Sequence, residues 1–193
     1  MSRPASLVAC VAALALLPLA ACTTTLQAVD ATTTAGESVM QAATNPTLSS
    51  ADAYFMDRAA RGGLTTVQAS DLATHRAARA DIRRYAAMAR ADRSRLNGEL
   101  AALAQRKRIS LPTTPSATQQ QMLSELLGLA GATFDRQYLG QEVALQSHAI
   151  ELYREEAKVG TDPDVRAFAA RALPLLQHHL VTAEQLGGQP SSV

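Results

Sequence analysis

Two groups of residues in this 193-residue chain have the types and spacing to do chemistry. The first is Leu19-Ala20-Ala21-Cys22, two small residues and a cysteine at the end of an apolar run. A signal peptidase cuts before such a cysteine, and the thiol takes up a diacylglycerol. The second group is dispersed. Thr66, Arg93, Gln141, Gln146, His148 and His179 fall on apolar stripes at helical spacing, with Asp92 at the edge of one. Carboxylates and imidazoles that meet inside a helical bundle can bind a metal ion.

The metal candidates are His148, His179 and Asp92. No inward Glu stands out. The Glu-x-x-His spacing of di-iron bundles occurs at none of the four histidines, because residues 72, 145, 175 and 176 are all leucine. A lone inward histidine more often satisfies a core hydrogen bond than a metal, and His148 meets His179 only if their helices are antiparallel neighbours. Arg93, central on its stripe, needs polar partners if buried. Asp135 or a neighbouring acidic residue could supply one; otherwise Arg93 snorkels to solvent. A fixed cation there also opposes a metal ion. Arg154, Glu155, Glu156 and Lys158 read as a solvated charged run. No Gly-rich phosphate loop, Ser or Cys nucleophile motif or catalytic carboxylate pair stands out, so an enzymatic reading rests on the bundle alone and no cofactor is expected.

The anchor group is more specific. Arg3 is the only basic residue among the first 21, and the apolar stretch from Leu7 to Leu17, closed by Pro18, is too short to span a bilayer. An ordinary secretory signal cut near Ala21 fits the same small residues, but only the lipoprotein reading uses Cys22. Cys10 leaves with the leader. Removing 21 of 193 residues leaves 172 with Cys22 alone, so the mature chain has no disulfide. Two or three acyl chains on Cys22 give stable attachment, which makes the membrane the expected partner and an envelope protein a second one. Thr23 after the cysteine, in place of Asp, resembles lipoproteins sent to the outer membrane to face the periplasm. With 18 Lys plus Arg against 17 Asp plus Glu, there is no electrostatic case for nucleic acid.

The elements that would position the dispersed group are helices. Residues 22–50 are rich in Thr, Ala and Ser and read as a tether after the lipidated cysteine. A first helix runs from Ser50 or Ala51 to His75 with Phe55, Ala59, Gly62, Thr66, Ala69 and Ala73 on one face, weakened or bent at Gly62-Gly63. A second spans Ala78 to Lys107 with the stripe Ile82, Tyr85, Ala86, Ala89, Arg93, Leu96, Leu100 and Leu103. A third extends from Ala117 to Lys158, interrupted around Gly128 to Gly131, and shows two stripes. Phe134, Tyr138, Leu145, His148 and Leu152 form one, and Leu139, Val143, Gln146, Ile150 and Tyr153 the other. The fourth begins at Gly160-Thr161-Asp162-Pro163, with Asp162 as N-cap and Pro163 in the first helical position. Its stripe is Val165, Phe168, Ala169, Ala172, Leu176, His179, Leu180, Ala183 and Leu186, and Pro174 lies opposite.

These residues also carry a resemblance. Ala60-Arg61-Gly62-Gly63-Leu64, Leu111-Pro112, Phe134-Asp135-Arg136-Gln137-Tyr138, Phe168-Ala169 and the run from Leu173 to Leu180 resemble an uncharacterised bacterial family, domain of unknown function forty-one forty-two. Its members are called predicted outer membrane proteins and are built on a ferritin-like fold. The resemblance covers Tyr54 to Leu186 and implies export and a helical bundle, with no established reaction. It also marks departures: the family has a Glu, an Asp-His pair and a His where this chain has Thr66, Asp92-Arg93 and Gln146. A metal site, if the family has one, is then lost here.

The expectation is an all-α protein. A lipoprotein signal peptide occupies 1–21, a lipidated tether 22–50, a ferritin-like antiparallel four-helix bundle 51–188 and a disordered tail 189–193. The expected role is structural, stress-related or interactive in the envelope. The alternative is a metal-binding or redox bundle using His148, His179, Asp92 and Asp135.

Overall fold

A computed structural model describes residues 48–188. The expected signal peptide, Cys22, most of the expected tether and residues 189–193, read as a tail, lie outside the described residues. Five helices follow in order: α1 Ser50–Arg76, α2 Ala80–Lys107, α3 Ala117–Leu127, α4 Gly131–Val159 and α5 Pro163–Gly187.

The boundaries have local causes. Ser49 and Asp52 form a reciprocal capping box at the start of α1, and Ser116 with Gln119 forms another at α3. Asp162 accepts the amides of Asp164 and Val165 ahead of Pro163, as the sequence predicts. The anticipated interruption of the third helix is a full break, which separates α3 from α4. It turns on Gly131 at φ +59°, a conformation that costs glycine little. Gly62-Gly63 neither breaks nor ends α1. A Cβ on Gly63 would run into the Asn97 side chain of α2, so that glycine lets the two helices close up.

The helix ends fix the topology. Asp52 at the start of α1 accepts the Thr161 and Asp162 amides at the α4–α5 turn, at 2.8 and 3.2 Å. Asp135 at the start of α4 accepts the Ala78 and Arg79 amides at the α1–α2 turn, at 2.8 and 3.1 Å. Lys107 at the end of α2 pairs with Asp162 at the start of α5, 2.6 Å apart. The neighbours α1–α2, α2–α5, α5–α4 and α4–α1 therefore all run antiparallel. The chain from Arg108 to Ala130, α3 included, must travel the length of the bundle between α2 and α4. One such crossover is the connectivity of ferritin-like bundles.

Two apolar clusters fill the interior. One gathers Phe55, Leu100, Leu103, Tyr153, Phe168 and Leu176 near the end where the α4–α5 turn lies. The other gathers Ile82, Tyr85, Leu126, Phe134, Tyr138 and Ala183 near the opposite end. Polar side chains lie where the two meet.

Candidate functional site

The polar centre is built by positions one or two helical turns apart on each long helix. From α1 come Thr66 and Ser70, from α2 Tyr85, Asp92 and Arg93, from α4 Tyr138, Glu142 and Gln146, and from α5 His179. All but Asp92 are buried. Arg93 is 2% exposed, which settles the choice between an inward guanidinium and a snorkelling one. Its Nη2 donates to Gln146 Oε1 at 2.9 Å, and burial raises the Tyr153 hydroxyl while the nearby Arg93 charge opposes the rise. Gln146 Nε2 donates to Glu142 Oε2 at 3.1 Å, one helical turn back. The Tyr85 hydroxyl reaches both Glu142 Oε2 at 3.3 Å and the His179 carbonyl at 3.4 Å. Ser70 Oγ and the Tyr138 hydroxyl share a hydrogen bond of 3.1 Å.

Burial governs the protonation states. It pushes the fully enclosed Glu142 carboxyl up to about 7, against the opposing pull of Gln146, Arg93 and Tyr85. Burial, with Glu142 beside them, also holds the Tyr85 and Tyr138 hydroxyls protonated far above neutrality. It holds His179 below its usual range, and the Asp92 hydrogen bond only partly offsets this. His179 Nε2 lies 3.1 Å from Asp92 Oδ2. Because a carboxylate only accepts, Nε2 carries the hydrogen and Nδ1 of the neutral ring is left as an acceptor.

Three expectations need correcting. His148 is on the exposed face of α4 and does not meet His179. Asp135 does not serve Arg93 but holds the α1–α2 turn, accepting the amides of Ala78 and Arg79. Glu156 is not part of a solvated run. It is 5% exposed, and burial with Asp52 and Asp162 close by raises its carboxyl to about 8. Gln141 is buried as expected, but it faces α3, donating to the Met122 carbonyl at 3.1 Å.

Sequence reasoning missed Glu142, although a signal existed. Glu142 is four residues from both Tyr138 and Gln146, each assigned to a stripe, but to different ones. The true buried line on α4 is Phe134, Tyr138, Glu142, Gln146, Ile150 and Tyr153. Asp92 and His179 are brought together, and Arg93 lies beside them on α2. The positions where the resemblance marks departures, Thr66, Arg93 and Gln146, are all buried. Among the described residues no three His, Cys, Asp or Glu side chains are arranged to hold a metal ion. A surface recess of about 660 Å³, lined by Val67, Leu72, Arg90, Leu123 and Leu127 among others, lies between α1, α2 and α3 and does not include the centre.

Fold and site together define an all-α bundle with one long crossover and a closed polar layer at mid-height. Its family follows from the chain itself: residues 37–186 match the family model described as Domain of unknown function (DUF4142), and the protein belongs to that family. The match begins inside the segment expected to be tether. No curated protein and no solved structure is significantly similar to the chain.

Proposed function

We propose that this protein is a lipid-anchored bundle of the bacterial envelope with a structural or interaction role and no catalysis. The observation that carries the second half is the closure of the centre. Tyr85, Arg93, Tyr138, Glu142, Gln146 and His179 are the chemically capable side chains, and each is at most 3% exposed. A substrate of more than a few atoms has no route to them, and Arg93 holds a cation in the core that Gln146 engages from the facing helix. Such a network fixes how four helices meet. The first half rests on Leu19-Ala20-Ala21-Cys22 and on the absence of any helix, among the described residues, long and apolar enough to cross a membrane. Mass spectrometry of the mature N-terminus tests it: an acylated Cys22 is expected, and an unmodified terminus elsewhere defeats the anchor.

A second reading has one specific observation in its favour, the contact between Asp92 and His179. Asp92 is half-buried and opens to solvent, so the pair could take up a metal ion with water completing its shell. Elemental analysis of the purified protein separates the readings. Stoichiometric zinc, iron or copper that disappears in His179→Ala would replace the structural reading with the metal one.

A further inference from the structure

Four buried side-chain atoms at the centre have no hydrogen-bond partner among the described residues: Thr66 Oγ1, Arg93 Nε, Glu142 Oε1 and His179 Nδ1. They come one from each long helix. Gly63 packs on Asn97 and Asp71 pairs with Arg90, so Thr66 sits at the level of Arg93. Arg93 reaches Glu142 through one Gln146 side chain, and Glu142 reaches the His179 backbone through Tyr85. Orphaned polar atoms are costly in an interior, and the three of these that can donate, at one level of the bundle, call for a shared occupant; the acceptor His179 Nδ1 is not among its partners while the ring is neutral.

Their chemistry selects it. Arg93 Nε and Thr66 Oγ1 donate, the first with a full positive charge that burial leaves poorly screened. Glu142 Oε1 donates too when its carboxyl is protonated, a form favoured by burial. A divalent cation would meet donor hydrogens and a guanidinium, whereas an anion meets three donors and neutralises Arg93. The single Gln146 side chain joining Arg93 to Glu142 limits the occupant to a few atoms. We infer that the bundle centre binds a small monovalent anion of about halide size between Arg93 Nε, Thr66 Oγ1 and Glu142 Oε1.

Every facing group enters the balance. From α1 come only the Thr66 and Ser70 hydroxyls. From α2 come Tyr85 and Arg93, with Asp92 at the edge. From α4 come Tyr138, Glu142 and Tyr153, and from α5 His179. The tyrosines are neutral, and His179 becomes a donor on Nδ1 only when doubly protonated. Ionised Glu142 repels the anion and replaces it as the counter-charge of Arg93. The site therefore fills on the acid side of neutrality and empties on the alkaline side.

The test uses the purified full-length protein in sodium chloride and in sodium gluconate of equal ionic strength, gluconate being too large to enter. At pH 6, 0.2 M chloride is expected to raise Tm by about 3–5 °C over gluconate, and at pH 8.5 by less than about 1 °C. Thr66→Val, which removes one donor at nearly constant shape, should at least halve the chloride effect. Glu142→Gln keeps an N–H donor at every pH and should preserve the effect at pH 8.5. Bromide soaked into crystals at pH 6 should give an anomalous peak beside Arg93 Nε, a readout that needs neither variant to fold. Equal Tm in the two salts at pH 6, or bromide bound only at the surface, would overturn the inference and leave water as the occupant.

Discussion

The two buried glutamates of α4 are an instructive pair. Glu142 at the centre and Glu156 at the α4–α5 end both have carboxyls raised well above the ordinary range, to about 7 and about 8. The first cause is burial in both. The neighbours then act in opposite directions: Arg93 and two hydrogen bonds pull Glu142 down, whereas Asp52 and Asp162 push Glu156 higher. Asp52 goes the other way. Burial alone would raise it, but hydrogen bonds from Ser49, the Thr161 amide and Glu156 hold it below its usual value. Glu156 therefore keeps the proton while Asp52 keeps the charge. One site is a cation with a poorly ionised counter-group, and the other is an anionic helix cap beside a protonated carboxyl. The same residue type thus serves different structural ends according to what packs beside it.

Removing the cation should break the comparison most severely. Arg93→Ala strands Gln146 and leaves Glu142 without its positive neighbour, and a loss of about 3–5 kcal/mol is expected in urea unfolding at pH 7. A loss under about 1 kcal/mol would mean that the network contributes little. At the other site, Asp52→Ala removes both the α1 cap and the acceptor for two turn amides, with an expected loss of about 2–3 kcal/mol.

The pH dependence sharpens the contrast. A carboxyl raised in the folded state stabilises fully below its unfolded value and loses that contribution as pH rises through the folded one. For Glu142 the window runs from 4.5 to about 7, and for Glu156 from 4.5 to about 8. Glu142→Gln should therefore gain on the wild type between pH 4.5 and pH 8 by on the order of 2 kcal/mol, read from unfolding curves at several pH values. Glu156→Gln should gain in the same direction, with its change extending to higher pH. Asp52 has the opposite sign, its contribution present above 3.8 and lost as pH falls. Wild-type stability that is flat from pH 4.5 to 8, with both variants parallel to it, would refute the assignment. The smallest effect is expected at the Arg90–Asp71 pair, about half exposed on both sides, where Arg90→Ala should cost under about 0.5 kcal/mol.

Much of the fold was readable along the chain because its signals are local. The α2 stripe is buried at every position assigned to it, and on α5 only Leu180 remains partly exposed. These helices pack one face inward, so apolar spacing fixes their phase. The α4 helix touches α1, α3 and α5 at once. Apolar residues then recur on several sides: the stripe through Leu139, Gln146, Ile150 and Tyr153 is buried as assigned, but spacing alone carried the one through Phe134 and Tyr138 on to the exposed His148 and left Glu142 unnoticed.

The amino-acid order by itself determined the Asp162-Pro163 start of α5, an interruption between Gly128 and Gly131, the apolar faces of α2 and α5, and the inward placement of His179, while the burial of Arg93 was settled by the packing. Only the tertiary structure decided their company. Asp92 meets His179 because α2 and α5 run antiparallel at the right register, Gln146 meets Arg93 across the core, and Asp135 closes a turn more than 50 residues away in sequence. Caps and stripes depend on residues within a few positions of one another. Which charge is paired, and which carboxyl keeps its proton, depends on the field and burial supplied by every helix packed around it.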